Sequence, residues 1–226
     1  MTRALLPLTL LLAACPASVT AEGIEGGFGL GLGADYVRLV SDNGDSESIV
    51  LSTRGGVCED YATFAEAQAE MLSASLDLFS NQYCANLEAP LADYVAATQD
   101  LFTVGARFVT LSAHGGDLDK EQYDLPDDAS GTVALVEDTP YDGALDDFDP
   151  DAGAMEGCGL DQGELEAFAT ADFGTAWTLD GDFEITALEK DGPAAGTVDA
   201  DMIDDDGDED GAFTASFTAT LCEIEL

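Results

Sequence analysis

Basic residues are what this sequence most lacks. Six Lys and Arg stand against 47 Asp and Glu in 226 residues, which gives a formal net charge of −41. A surface of that sign repels the phosphate backbone of nucleic acids, so the composition excludes nucleic acid as a direct partner. The charges also repel one another, and salt or divalent cations relieve such repulsion. The 46% hydrophobic content still predicts a folded domain rather than a disordered chain.

Residues and motifs typical of catalysis are also scarce. The chain has one histidine, His114, and one tryptophan, Trp177. It contains no G-x-S-x-G, H-E-x-x-H, P-loop or C-x-x-C sequence, so serine hydrolases, zinc sites and nucleotide-phosphate loops lack support. A lone loop histidine is more often incidental than catalytic, and a lone tryptophan more often belongs to a core. The alternative to a protein without catalysis is a carboxylate-dependent hydrolase, in which Trp177 and Tyr141 or Tyr123 would line a sugar site.

The N-terminal apolar run is too short to cross a bilayer. Ala4 to Leu12 is apolar except for Pro7 and Thr9, whereas a spanning helix needs about 20 residues. With Arg3 before it, the run is typical of the central region of a secretory signal.

The next residues, Leu12-Ala13-Ala14-Cys15, resemble the lipobox of bacterial lipoproteins. The resemblance implies that 1–14 is a signal peptide, that the Cys15 thiol is diacylated and that its new amino group is acylated. In that family an Asp after the cysteine favours inner-membrane retention. Pro16 stands there instead, so the resemblance implies the outer membrane. The alternative is an ordinary signal cut after Ala21, which would release a soluble secreted or periplasmic protein.

Lipidation of Cys15 would leave four cysteines, and an exported compartment favours their pairing as two disulfides. Sequence alone permits three pairings of Cys58, Cys84, Cys158 and Cys222. Cys58 and Cys84 flank a predicted helix of roughly 18 residues, whose ends lie about 27 Å apart. Bridged Cα atoms lie within about 7 Å. This length disfavours the pair Cys58–Cys84. Of the two pairings left, we expect Cys58–Cys222, between two strand-edge positions, and Cys84–Cys158, between two loops.

The sequence predicts one domain after a flexible segment. Residues 15–33 are small and rich in glycine, which predicts a tether. Residues 34–226 form a single β-rich domain with a helical insertion at about 60–103. A Thr63-x-x-Glu66 capping box opens the first predicted helix, and the second starts at Pro90.

The strand pattern predicts a mainly β fold. Alternation is clearest at 198–202 and 213–221, where apolar residues alternate with Asp, Ser or Thr. Asp180-Gly181 predicts a hairpin turn between two shorter strands, and another strand-like stretch covers 165–173. We expect an antiparallel β-sandwich-like domain with the two-helix insertion, with an α+β fold as the alternative. The segments Gly196-Thr197-Val198 and Phe217–Cys222 resemble the ends of uncharacterised bacterial lipoproteins.

One acidic turn resembles a calcium loop. Asp206, Asp208, Asp210 and Gly211 match positions 1, 3, 5 and 6. Phe217 replaces the bidentate Glu of position 12, so the pattern predicts a weak surface calcium site rather than an EF-hand; the alternative is a solvated acidic turn. Residues 147–151 match less well, because an alanine follows in place of the glycine.

These features predict a lipid-anchored cell-envelope protein, either a structural or a binding module, and responsive to cations. The sequence identifies no protein or glycan partner. A binding module predicts a flat or grooved surface without strongly perturbed acids. The alternative, a glycosidase-like hydrolase, predicts a pocket that holds two carboxylates about 5–10 Å apart beside an aromatic ring.

Overall fold

The computed structural model describes residues 18–22, 33–40, 46–81, 84–141, 148–152, 158, 174–189 and 191–225. Within these residues the fold has nine strands and two helices. The strands are β1 Ser18–Glu22, β2 Gly33–Val40, β3 Ser46–Ser52, β4 Arg107–Ala113, β5 Gln122–Leu125, β6 Ala129–Val136, β7 Gly174–Leu188, β8 Ala194–Ile203 and β9 Glu209–Glu225. The helices are α1 Cys58–Asn81 and α2 Glu88–Leu101. The prediction of a mainly β, sandwich-like domain with a two-helix insertion is confirmed.

All nine strands belong to one sheet, which closes on itself. The hydrogen-bonded path runs β9–β2–β3–β4–β6–β7, and β8 bonds to both β7 and β9. The short strands are additions: β1 pairs with the first half of β9, and β5 pairs with the second half of β7. β2 runs parallel to β9, whereas every other strand pair in the described part of the chain is antiparallel. The sheet is therefore mixed, which the sequence did not predict.

The main core fills the inside of the closed sheet. Successive strand side chains point to opposite faces, so every second residue faces inward. The largest fully buried inner residues include Tyr36, Ile49, Leu111, Phe183 and Phe213. Tyr123 stacks on Phe183 with ring centroids 5.3 Å apart.

A second core lies between the outer face of the sheet and the helices. Val37, Phe108 and Ile224 on the strands pack in one cluster with Ala65 of α1 and Leu101 of α2. Strands β2, β3 and β4 and the end of β9 are therefore apolar on both faces. This explains why alternation weakens there, since a strand buried on both sides needs no polar face.

Two disulfides join the helical layer to the rest of the chain, in the predicted pairs. Cys58, the first residue of α1, is bonded to Cys222 of β9, with Cα atoms 5.6 Å apart. Cys84, in a single 3-10 turn between the helices, is bonded to Cys158, with Cα atoms 5.4 Å apart. Cys222 faces away from the phenylalanines of β9 because it belongs to the second core.

The predicted Asp180-Gly181 hairpin turn is wrong, because β7 runs without interruption from Gly174 to Leu188. Gly181 has φ 152° and lies where β8 comes close: an added Cβ would be 2.5 Å from the Asp199 carbonyl oxygen. The glycine serves a close backbone approach, a role that glycine also has inside strands.

The predicted capping box at Thr63 is also wrong. Helix α1 already begins at Cys58, and the Thr63 hydroxyl donates to the carbonyl oxygen of Glu59 within the helix. The cap of this helix comes instead from Asp35 in β2, whose Oδ2 accepts the N–H of Val57 at 2.7 Å. A capping residue so distant in sequence leaves no local pattern to recognise.

Part of the predicted tether is strand. Ser18–Glu22 forms β1, paired with Ala212–Ser216 of β9, in keeping with the strand preference of Val19 and Thr20. Gly33, the last residue of the predicted tether, begins β2. Residues 15–17 and 23–32, the lipobox, the predicted strand at 165–173 and most of the acidic segment 138–161 lie outside the described residues. Neither helix has an apolar stretch that could cross a membrane, judged over the residues described.

Candidate functional site

A polar cluster of Tyr36, Arg38 and Glu47, here the Arg38 cluster, lies at one end of the inner core. Arg38 and Glu47 are cross-strand partners of β2 and β3, on the same inward face as Tyr36. Arg38 Nε donates to Glu47 Oε1 at 2.8 Å, and Arg38 Nη2 donates to the Tyr36 hydroxyl at 3.2 Å. The Arg38 and Glu47 side chains are only 16% and 10% exposed. Glu223 on β9 lies 3.4 Å from the same guanidinium.

Glu47 also holds the loop that follows β4 over this end of the sheet. Its Oε2 accepts the N–H of Leu118 at 2.9 Å, and its own N–H donates to the Gly116 carbonyl at 2.7 Å. Leu118 is buried in the main core. The carboxylate therefore joins three parts of the chain: β2, β3 and this loop.

The environment of the Arg38 cluster shifts the pKa values of its members, including those of Glu47 and Tyr36. Burial acts to raise the pKa of Glu47, but hydrogen bonds with Tyr36, the Leu118 N–H and Arg38 outweigh it and hold that pKa below its ordinary value. Burial, with the hydrogen bond to Glu47, raises the pKa of Tyr36 to about 12. Glu47 is therefore ionised and Tyr36 neutral at pH 7. Both states suit a fixed hydrogen-bond network.

A surface cavity of about 510 Å³ lies beside the same loop. Its lining includes Asp117, Asp119, Glu121 and Asp128, with Tyr123 as the aromatic residue. The Tyr123 hydroxyl accepts the Asp119 N–H at 2.6 Å, which fixes the loop against the ring. This is where a hydrolase would find several carboxylates beside an aromatic ring.

Asp35 is a second buried carboxylate, 5% exposed, at the start of α1. Burial raises its pKa from 3.8, and the hydrogen bond from the Val57 N–H opposes that change. The same contact caps α1, which places Asp35 in a structural role. Asp35 does not line the acidic cavity.

Replacing Asp35 by asparagine is expected to raise the free energy of unfolding at pH 7 by up to about 1 kcal/mol. The amide keeps an oxygen for the Val57 N–H and removes a buried charge, whereas alanine removes the cap and should cost about 1–2 kcal/mol. Because the folded pKa is raised, protonated Asp35 contributes stability that is present below pH 3.8 and is lost as pH rises through the folded value. Urea unfolding of both variants across pH 3 to 7 tests this; equal losses for both at pH 7 would contradict it.

The acidic turn between β8 and β9 does not gather the three predicted calcium ligands. Asp206 and Asp208 donate their N–H groups to Asp204 Oδ1, at 3.0 and 2.8 Å. Asp210, already in β9, accepts the indole N–H of Trp177 at 2.8 Å. Within the described ranges, no group of three or more His, Cys, Asp or Glu is arranged to hold a metal ion. In the second calcium-like segment, residues 147–151, Asp149 Oδ1 accepts the Asp151 N–H.

Sodium chloride is expected to raise the thermal midpoint, because it screens the repulsion among the 47 acidic residues. Each kcal/mol gained corresponds to about 2–4 °C for a chain of this size. The predicted calcium site requires a larger rise with calcium than with sodium at equal ionic strength. That excess must vanish in Asp206→Asn/Asp208→Asn and survive in the charge-matched control Asp199→Asn/Asp201→Asn. Equal rises with the two salts would reject the calcium site.

The remaining aromatic and histidine candidates have structural contacts. Trp177 is 7% exposed and belongs to the main core. Tyr141 lies against Tyr94, with hydroxyl oxygens 3.3 Å apart, and burial raises the pKa of Tyr141. His114 is exposed at the end of β4, with Nδ1 3.0 Å from the Asp127 carbonyl oxygen. The structure does not bring His114, Trp177 and Tyr141 into one site.

Sequence reasoning missed the Arg38 cluster, although a signal for it exists. Arg38 has the same strand parity as Tyr36, and Glu47 has the same parity as Ile49 and Leu51, so both ionisable residues occupy inward positions. An inward arginine in a chain with six basic residues requires a partner. Without the β2–β3 register, that partner could not be chosen among 47 acids.

Comparison with protein-family models, with curated proteins and with solved structures finds no match to this chain.

Proposed function

We propose that this protein is an exported lipoprotein, anchored through Cys15, whose domain is a non-enzymatic structural or binding module of the cell envelope. The observation that carries the proposal is β1. Cleavage after Ala14 keeps the whole strand Ser18–Glu22, whereas cleavage after Ala21 would remove four of its five residues. The strand pairs with β9 over its full length, so the lipoprotein cleavage fits the folded domain better.

The disulfides support export and agree with lipidation. Protein disulfides persist in oxidising compartments outside the cytosol. The two bonds use Cys58, Cys84, Cys158 and Cys222. Cys15 is then the single cysteine left for another modification, and it occupies the lipobox position.

The roles of the ionisable residues favour a module without catalysis. Glu47 has a lowered pKa because it is held in a network of hydrogen bonds, and Asp35 caps a helix. A catalytic acid is usually given a raised pKa within an open cleft. Neither of these two carboxylates lines the acidic cavity beside Tyr123.

Fractionation of a bacterial host that expresses the full chain tests the anchor. We expect the wild-type protein in the membrane fraction after a high-salt wash, because acyl chains and not charges hold it there. Cys15→Ser should move it to the soluble exported fraction. The two disulfides should form in both proteins. Wild-type protein in the soluble fraction would reject the anchor.

The second candidate function is a glycosidase-like hydrolase, which the cavity beside Tyr123 favours. Asp119 and Asp128 are among its lining acids. If it is an active site, purified protein should hydrolyse some member of a panel of nitrophenyl glycosides. Asp119→Asn or Asp128→Asn should then abolish turnover, since each removes one ionisable carboxylate. Turnover that is absent, or unchanged in both variants, would reject this function.

A further inference from the structure

The register of β1 determines where an N-terminal anchor leaves the domain. Ser18 is opposite Ser216, and β1 runs antiparallel to β9, so the chain leaves β1 in the direction of Thr218. β2 occupies the same edge of β9 only from Thr220 onward, opposite Asp35. An anchored chain therefore meets the domain halfway along β9, on the side wall of the closed sheet rather than at either end.

The chain between the anchor and β1 is very short. Three residue steps separate Cys15 from Ser18, and a fully extended chain covers about 3.3–3.6 Å per residue. An acylated Cys15 thus holds Ser18 within about 10 Å of the residue that carries the lipid. The middle of β9 has to remain close to the headgroups.

The outer surface at this place carries hydroxyl groups and no carboxylate. Thr214, Ser216, Thr218 and Thr220 alternate along the exposed side of β9, and Thr197 on β8 is exposed beside Ser216. These five residues, the hydroxyl face, include no carboxylate in a chain with 47 acidic residues. Two exposed acids border the face: Asp199 on β8, opposite Thr214, and Glu184 on β7, opposite Thr197.

We propose that the hydroxyl face is the surface that this protein turns toward the membrane. This inference rests on the proposed acylation of Cys15. The occupant is the headgroup layer of the bilayer that holds the acyl chains. An anionic leaflet repels acidic surfaces over about one Debye length. The short connection keeps the hydroxyl face beside the anchor, and this face meets the headgroups without that repulsion, because hydroxyls donate and accept hydrogen bonds without charge.

A pair of probe positions tests the orientation. A fluorescent noncanonical amino acid replaces Thr218 on the hydroxyl face or, as the matched control, Thr132 on β6. Thr132 is also an exposed strand threonine, but β6 lies three strands from β9 around the closed sheet. Each acylated protein is placed in vesicles of phosphatidylethanolamine and phosphatidylglycerol that include nitroxide-headgroup lipid. We expect quenching to be several-fold stronger at 218 than at 132.

Two further proteins test whether the short connection, or insertion of the probe itself, causes the quenching at 218. A Gly/Ser spacer of about ten residues, inserted between Ala17 and Ser18, adds about 17 Å of reach and should reduce quenching at 218 to the level at 132. The Cys15→Ser form of each probe protein, mixed with the same vesicles, should show no quenching, which excludes insertion of the probe itself. Intact mass reports acylation in each case.

The outcomes distinguish this inference from the proposed function. A protein without acyl chains on Cys15 rejects both. An acylated protein that is quenched equally at 218 and 132 rejects the orientation and leaves the anchor standing. Quenching at 218 that survives the spacer rejects the short connection as the cause of the orientation.

Discussion

Removing the Cys58–Cys222 bond is expected to lower the free energy of unfolding by about 4–5 kcal/mol, the largest effect of any change proposed here. The bond closes a loop with a sequence separation of 164, and cross-links that close long loops restrict the unfolded chain most. It also joins α1 to β9 within the second core, where Cys222 is 1% exposed. Urea unfolding of Cys58→Ala/Cys222→Ala against wild type measures the loss.

The other disulfide provides the matched comparison. Cys84–Cys158 closes a shorter loop, with a separation of 74, so Cys84→Ala/Cys158→Ala should cost about 0.5–1 kcal/mol less. Both variants are best made in the Cys15→Ser background, so that no free thiol can exchange. A Cys58→Ala/Cys222→Ala protein as stable as its parent would show that this bond does not hold the helical layer to the sheet.

Replacing Glu47 by alanine is expected to cost about 2–4 kcal/mol at pH 7. The change leaves the Arg38 guanidinium largely buried without its strongest partner, and it removes the acceptor for the Leu118 N–H. Breaking one side of a buried pair is costly for this reason. Glu47→Gln keeps the shape and one acceptor oxygen and should cost about half as much. Urea unfolding measures both; a loss below about 0.5 kcal/mol for alanine would contradict the assigned role.

The sign of the pH dependence follows from the lowered pKa of Glu47. A carboxylate whose folded pKa is depressed contributes stability above its unfolded pKa and loses it as pH falls through the folded value. The difference between wild type and Glu47→Gln should therefore be largest near pH 7 and shrink below about pH 4. A difference between wild type and Glu47→Gln that grew as pH fell would contradict this sign.

Tyr36 affects stability at high pH. Its pKa of about 12 predicts a loss of stability as pH rises from about 10 to 12.

The features that the sequence predicted well depend on patterns among nearby residues or on the length of one helix. Alternation along 213–221 identified the inward face of β9, and Pro90 marked the start of the second helix to within two residues of Glu88. The length of a straight helix disfavoured one of the three disulfide pairings, because it keeps Cys58 and Cys84 apart, and the strand or loop position of each cysteine decided between the other two. Each of these inferences needs only nearby residues or a simple length.

The features that were missed depend on pairing between distant strands. The Asp180-Gly181 pair has the composition of a turn, yet β8 comes so close to Gly181 that only glycine fits within a continuous strand. β1 pairs with the first half of β9, and β2 pairs in parallel with its end. Both pairings join strands that are far apart in sequence. The Arg38–Glu47 pair needs the β2–β3 register. None of these leaves a pattern within a short window of sequence.

Intact-mass analysis of the chain made in a bacterial host with lipoprotein processing tests the central claim most directly. We predict a mature protein that begins at Cys15, carries acyl chains on the thiol and the amino group, and holds two disulfides among Cys58, Cys84, Cys158 and Cys222. The spectrum should show added mass only on the N-terminal peptide. A mature chain that begins at Glu22, or one that retains Cys15 without acyl groups, would contradict the anchor and the membrane-facing role of the hydroxyl face.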